Sequence, residues 1–85
     1  MIGLTCCTLV LEFNYGKPGT SLGSIWLFDG NGLPHLESSE PLDSIPGWRR
    51  VAGPIDYETA AGIHSSLKKY LEGCGVTVIA EGVAD

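Results

Sequence analysis

At 85 residues the chain is long enough for one small domain, which we take to span residues 1–85, and too short for two. Five basic residues stand against ten acidic ones, and the resulting net charge of −5 excludes binding to nucleic acid or to an anionic membrane driven by the release of counterions. Because 44% of the residues are hydrophobic and only 18% are charged, we expect apolar surface to be left over for self-association or for a partner.

The first two predicted strands form a hairpin over residues 4–28, and both are apolar on both faces. Residues 14–20, which contain two glycines and a proline, are predicted to form the connecting turn. Alternation places Trp26 and Phe28 on one face of the second strand and Ile25 and Leu27 on the other. Strands that are apolar on both faces need cover on both sides, so the second cover must come from the chain's own long loop or from another molecule.

A long loop is predicted over residues 33–47, after a turn at residues 29–32. Residues 33–36 are interpreted as a short edge strand, where the missing donor of Pro34 does no harm. Leu42 and Ile45 are the apolar anchors that would hold the loop against the body of the domain. Residues 48–52 are predicted to form a short strand.

An amphipathic helix is predicted over residues 56–72, with Asp56 as its N-terminal cap and Gly73 as the left-handed residue that ends it. A last strand is predicted over residues 76–80. The apolar positions of the helix repeat at intervals of three and four and would form one stripe against the sheet: Ala60, Ile63, Leu67, Tyr70 and Leu71.

This order of elements predicts a small α+β fold, a single-layer antiparallel or mixed sheet with one helix packed on one face. The expected order is β-β-(β)-α-β, with about three to five strands.

No segment carries a specific catalytic, metal or nucleotide signature. Residues 16–21 combine glycines, a lysine and hydroxyls, but a proline interrupts them and a strand follows, which suits a hairpin turn better than a phosphate loop. The cysteines and histidines lack the paired spacing of a zinc site. We therefore expect no metal and no cofactor.

The three cysteines, Cys6, Cys7 and Cys74, are interpreted as reduced residues of a cytoplasmic protein. A single bond from Cys74 to either of the other two stays open. No apolar run reaches the roughly 18 residues of a membrane span, so no membrane partner is expected.

The leading functional hypothesis is a non-enzymatic, acidic module that binds a protein or nucleoprotein complex. Carboxylates spaced by three in the loop would form an acidic edge, and a tryptophan followed by two arginines is a composition favoured at binding hot spots. The candidate contact residues are Trp26, Phe28, Glu37, Glu40, Asp43, Trp48, Arg49 and Arg50. In its size and acidity the chain is similar to the small inhibitors of phages and mobile elements, including anti-CRISPR proteins. No sequence motif supports this comparison.

Two alternatives stay open. The first is a homodimeric scaffold that pairs edge strands or buries the second face of the sheet. The second is a small enzyme in which Cys7 or Cys74 would act with a histidine. If the loop covers Trp26 and Phe28, surface charge carries recognition; if it does not, these two side chains mark the interface.

Overall fold

The computed structural model describes residues 5–15 and 19–84, without the side chain of Tyr15. Part of the turn predicted at 14–20, including the lysine and proline of the phosphate-loop comparison, lies outside the described residues, as does the start of the hairpin at residue 4. The strands are β1 (Cys6–Tyr15), β2 (Ser21–Asp29), β3 (Trp48–Asp56) and β4 (Thr77–Ala84). The helices are α1 (Leu33–Leu36) and α2 (Tyr57–Gly73), and a 3-10 turn covers Leu42–Ser44.

The strands form one mixed sheet in the order β3-β2-β1-β4. The hairpin β1–β2 is antiparallel, with Val10 opposite Trp26, and β3 continues antiparallel beyond β2. Strand β4 pairs parallel with β1 after the crossover through α2, and it places Val83 beside Glu12. The fold is thus the predicted α+β type, with four strands and one long helix.

The segment 33–36, interpreted from sequence as an edge strand, is a short helix instead. Proline suits the first turn of a helix, where its missing amide hydrogen has no partner to lose. The side chain of Asn31 accepts a hydrogen bond from the amide of Leu33, 3.0 Å away, and helps to start this turn. Pro34, interpreted from sequence as part of an edge strand, therefore lies in the first turn of a helix.

Helix α2 begins as the sequence predicts, because the Asp56 carboxylate accepts from the amide of Thr59 at 3.2 Å. Its end differs from the prediction. Gly73 is the last helical residue, and the left-handed conformation belongs to Gly75, at φ +87°. None of the helices in the described residues is long and apolar enough to cross a membrane.

The odd-numbered side chains of β1 face α2, as the edge-on contact of Phe13 with Tyr57 shows, with ring centroids 5.1 Å apart. The helix lies against this face through Ala60, which is fully buried. A Cβ atom on Gly23 would lie 2.9 Å from the Cβ of Ala60, so the glycine permits the close approach. One turn further, His64 Nε2 lies 3.0 Å from the carbonyl oxygen of Leu9.

Only part of the predicted apolar stripe of α2 is covered by the sheet. Of its members only Ala60 is buried, whereas Ile63 is 38% exposed and Tyr70 is 64% exposed. The line of contact runs instead through small and polar side chains, because Gly23 draws the helix close at Ala60 and His64 binds the backbone of β1. Leu67 and Leu71 are half-buried rather than core residues.

The opposite face of the sheet, here called the loop face, carries the second apolar core. Leu42 and Ile45 of the 33–47 loop are buried, as predicted for its anchors. They pack on Val10, Trp26 and Trp48, with Phe28, Leu36 and Val83 around the edge of the cluster. The chain's own loop is therefore the second cover of the sheet.

Candidate functional site

A buried carboxylate lies among the apolar residues of the loop face. Glu12 is only 9% exposed, and its Oε1 accepts a hydrogen bond of 3.0 Å from the indole nitrogen of Trp26. The guanidinium of Arg50 lies over the Trp26 ring, 4.8 Å from its centroid. Cross-strand register explains this arrangement, since Val10 and Arg50 both pair with Trp26 and Glu12 follows Val10 by two on the same face of β1.

Glu12 lines a pocket between the loop and the C-terminal ends of β1 and β4. The pocket has a volume of about 260 Å³. We call this cavity the loop pocket. The polar side chains that line it are those of Glu12, His35, Ser38, Ser39 and Glu40. Leu36, Leu42 and Val83 form the apolar part of the wall. Glu12 is the most buried polar member of this lining.

The loop pocket contains two carboxylates, those of Glu12 and Glu40, and neither forms an ion pair with another described residue. Glu37, Glu40 and Asp43 are all exposed on the loop. Across residues 5–15 and 19–84, the ion pair that is present joins Lys68 to Glu72 on α2, at 3.1 Å, so neither Glu12 nor any loop carboxylate takes part in one. A carboxylate removed from water without a cationic partner is unfavourable, and a positively charged ligand would relieve that cost.

The structure groups some of the contact residues expected from sequence on the loop face and places others elsewhere. Trp26 is 4% exposed and Trp48 is 9% exposed, both beneath the loop. The ring of Phe28 lies tilted against that of Trp48, with ring centroids 5.2 Å apart. Arg50 lies at the edge of the same face, over Trp26. Arg49 is exposed but pairs with Leu27, which belongs to the helix face of the sheet.

The loop covers one of the two side chains in question: Trp26 is buried, whereas Phe28 is only partly buried. Beneath the loop, Trp26 keeps almost no surface for contact with another molecule. Of the three loop acids, Glu40 lines the pocket, while Glu37 and Asp43 lie elsewhere on the exposed loop.

Glu12, His35 and the two pocket serines are not among the contact residues expected from sequence. A signal for Glu12 was present, because it is the one charged residue in the otherwise apolar stretch of β1 from Cys6 to Phe13. Alternation places it on the face of Val10, where the loop would cover it. His35 gave no such signal, since its position depends on the short helix α1, where its ring lies 5.1 Å from that of Phe28.

Two other chemistries were tested against the geometry. Within the described part of the chain, no group of three or more histidine, cysteine or acidic side chains could hold a metal ion. Burial, with smaller effects from Cys6 and Asp29, raises the pKa of the Cys7 thiol above its ordinary value. Cys7 is thus a protonated core residue at neutral pH, the opposite of an activated nucleophile. Cys74 is exposed, and all three cysteines are free.

Comparison with known proteins gives no relative: no protein-family model, no curated protein and no solved structure matches the chain.

Proposed function

We propose that the chain is a protein-binding module that recognises a cationic side chain of its partner, and that the loop pocket receives an arginine. The observation that carries the proposal is Glu12, a carboxylate that is 9% exposed, lines an open pocket and has no cationic partner among the described residues. Its one hydrogen bond, from Trp26, satisfies Oε1 and fixes the orientation of the carboxylate.

Arginine suits this pocket better than lysine. A guanidinium is planar, can donate to two carboxylates at once, and loses less hydration than an ammonium when it is buried. Glu12 and Glu40 supply the acceptors, and the apolar wall of Leu36, Leu42 and Val83 suits the aliphatic stem of an arginine side chain.

Glu37 and Asp43 are exposed on the same loop and add to its negative charge. Complementary charge of this kind raises the rate of association and favours a basic partner over others. A module of this size that covered a basic groove would also block the nucleic acid that the groove binds, and inhibition of a nucleoprotein complex is therefore part of the proposal.

The test uses amide-capped amino acids as probes and the two indole N–H signals as reporters in ¹H–¹⁵N NMR spectra. We expect N-acetyl-arginine amide to shift the indole signal of Trp26, because this group donates to Glu12, and to leave that of Trp48 in place. N-acetyl-lysine amide should bind more weakly, and the neutral citrulline analogue should not bind. A single side chain binds weakly, with a Kd on the order of 1 mM.

Glu12→Gln keeps the size and the acceptor oxygen of the side chain but removes its charge, so it should abolish the shift. Glu81→Gln is the matched control, because Glu81 is exposed on β4 and does not line the pocket. Equal shifts with arginine and citrulline, or an unchanged titration in Glu12→Gln, would refute the proposal. For a protein partner, reversing the charges of Glu37, Glu40 and Asp43 together should weaken binding, as should added salt; unchanged affinity would exclude the acidic edge from recognition.

A further inference from the structure

The outer face of α2 carries apolar side chains that nothing in the described structure covers. Ile63 is 38% exposed and Tyr70 is 64% exposed. With the half-buried Leu67 they line a shallow groove of about 530 Å³, whose other members are Thr59, Gly62 and Ser66. This groove, here called the helix groove, belongs to the side of the domain opposite the loop face.

The small residues of the groove leave room for a second helix. Gly62 and Ser66 are four apart and therefore neighbours on the helix surface. A Cβ atom on Gly62 would meet nothing within 4 Å. Small side chains at such positions let the backbones of two helices approach closely, while the larger residues beside them pack around the contact.

The charged residues beside the groove form pairs of opposite charge between two copies of α2 only when the two helices are antiparallel. Glu58 and Lys69 are both exposed and lie three turns apart, on the same flank of α2. When two copies of α2 pair antiparallel about a two-fold axis near Ile63, Glu58 of one copy meets Lys69 of the other, twice. The same axis brings Gly62 against Ser66 and opposes the two helix dipoles. A parallel pair would bring like charges together.

We propose that the helix groove binds a second copy of this chain, with the two α2 helices antiparallel. A contact of about three helical turns buries only a few hundred Å² per partner, well below the roughly 800 Å² of a standard interface. The dimer is therefore weak, with a dissociation constant on the order of 10–100 µM. The proposal is independent of the arginine pocket, which lies on the other side of the sheet.

Sedimentation velocity between about 5 and 500 µM tests the proposal, with the weight-average sedimentation coefficient as readout. We expect it to rise with concentration for the native chain. Glu58→Lys and Lys69→Glu should each weaken the dimer about tenfold, because each creates two like-charge contacts. The double variant should restore dimerisation, since it exchanges the two charges. Glu81→Lys is the control for a charge reversal outside the groove.

Circular dichroism verifies that each variant is folded, and the charge variants test the interface without changing its apolar residues. A native chain that stays monomeric at 500 µM would overturn the proposal and leave the groove to a different partner. A dimer that both single variants leave unchanged would equally overturn it, because the contact would then lie elsewhere. Failure of the double variant to regain dimerisation would exclude the antiparallel pairing.

Discussion

Two buried tryptophans of the loop face differ in what their indole N–H groups do. That of Trp26 donates to Glu12, at 3.0 Å, whereas that of Trp48 is buried without a partner. An unsatisfied buried polar group costs about 1–3 kcal/mol. In the native protein this cost arises at the N–H group of Trp48. If Trp26 were replaced, the Glu12 carboxylate would lose its donor and a similar cost would arise there.

We therefore expect Trp26→Phe to be the more damaging of two matched substitutions. Each removes a similar volume from the same core, but Trp26→Phe also leaves the Glu12 carboxylate without its donor. Trp48→Phe removes an unpaired N–H group and loses no hydrogen bond. Urea unfolding followed by circular dichroism should show a further loss of about 1–3 kcal/mol in Trp26→Phe. Equal losses would mean that the bond to Glu12 contributes nothing to stability.

We expect the buried thiol of Cys7 to make the protein less stable at alkaline pH. Burial raises the pKa of its thiol above the ordinary value of 9.0, so the folded state keeps the proton that the unfolded chain releases. The stability due to the protonated thiol is complete below pH 9.0 and falls as the pH rises from there toward the folded pKa.

Unfolding of the native chain and of Cys7→Ala between pH 7 and 10.5 measures this effect. The free-energy difference between them should shrink above pH 9, by up to about 1.4 kcal/mol per pH unit. A difference that does not change with pH would contradict the burial of the thiol. Iodoacetamide provides an independent readout, because it should modify exposed Cys74 much faster than Cys7.

At the scale of single residues, the sequence predicted the Asp56 cap and the two loop anchors, because each follows from a local rule. It did not predict the contacts of Glu12, since the partner indole comes from the neighbouring strand and the pocket wall comes from the loop. Such a site exists only once three separate segments have met.

At the scale of elements, α2 shows how small residues decide the packing of a helix. Its periodicity correctly predicted a helix, but only part of the predicted apolar stripe is buried against the sheet. Ala60 fits against Gly23, where a larger pair would hold the helix away, and the apolar residues Ile63 and Tyr70 turn outward. Periodicity reports how wide the apolar side of a helix is, whereas the height of the sheet surface decides which part of it is buried.

Substitution by alanine should change stability in opposite directions at Gly23, which lies under α2, and at Gly62, which is exposed on α2. In Gly23→Ala the new Cβ would lie 2.9 Å from that of Ala60, so the helix must shift and stability should fall by about 1–3 kcal/mol. In Gly62→Ala the new Cβ meets nothing, and stability should rise by about 0.5–1 kcal/mol. Thermal unfolding at low protein concentration measures both. A stabilised Gly23→Ala would show that the close approach is not needed.

At the scale of the whole molecule, the two proposed interaction surfaces lie on opposite sides of one sheet. Pairing through α2 would place the two helices at the centre of the dimer and turn both loop pockets outward. A partner with two accessible arginines would then meet a bivalent ligand, and bivalence can raise the apparent affinity of two weak contacts by orders of magnitude. Together, the proposed weak dimer and weak pocket would bind such a partner more tightly than either alone.

The α+β class, the single sheet and the long helix could be predicted from sequence, because each depends on patterns within one segment. The strand order could not. No local pattern in β4 indicates that it pairs parallel with β1 rather than with β3. The sequence also did not predict that β3 extends to Asp56, because Gly53 and Pro54 are ordinarily turn residues. Gly53 holds φ +102° with its backbone against Gly23 and Ser24, which no rule of composition anticipates.

The position of β1 between β2 and β4 has a consequence for synthesis on the ribosome. Strand β1 gains its second neighbour only when Thr77–Ala84 has been made, after all the other described strands. Until then an apolar strand has one row of backbone groups free to pair with another nascent chain. Aggregation during expression should therefore depend on how soon β4 is translated after β1.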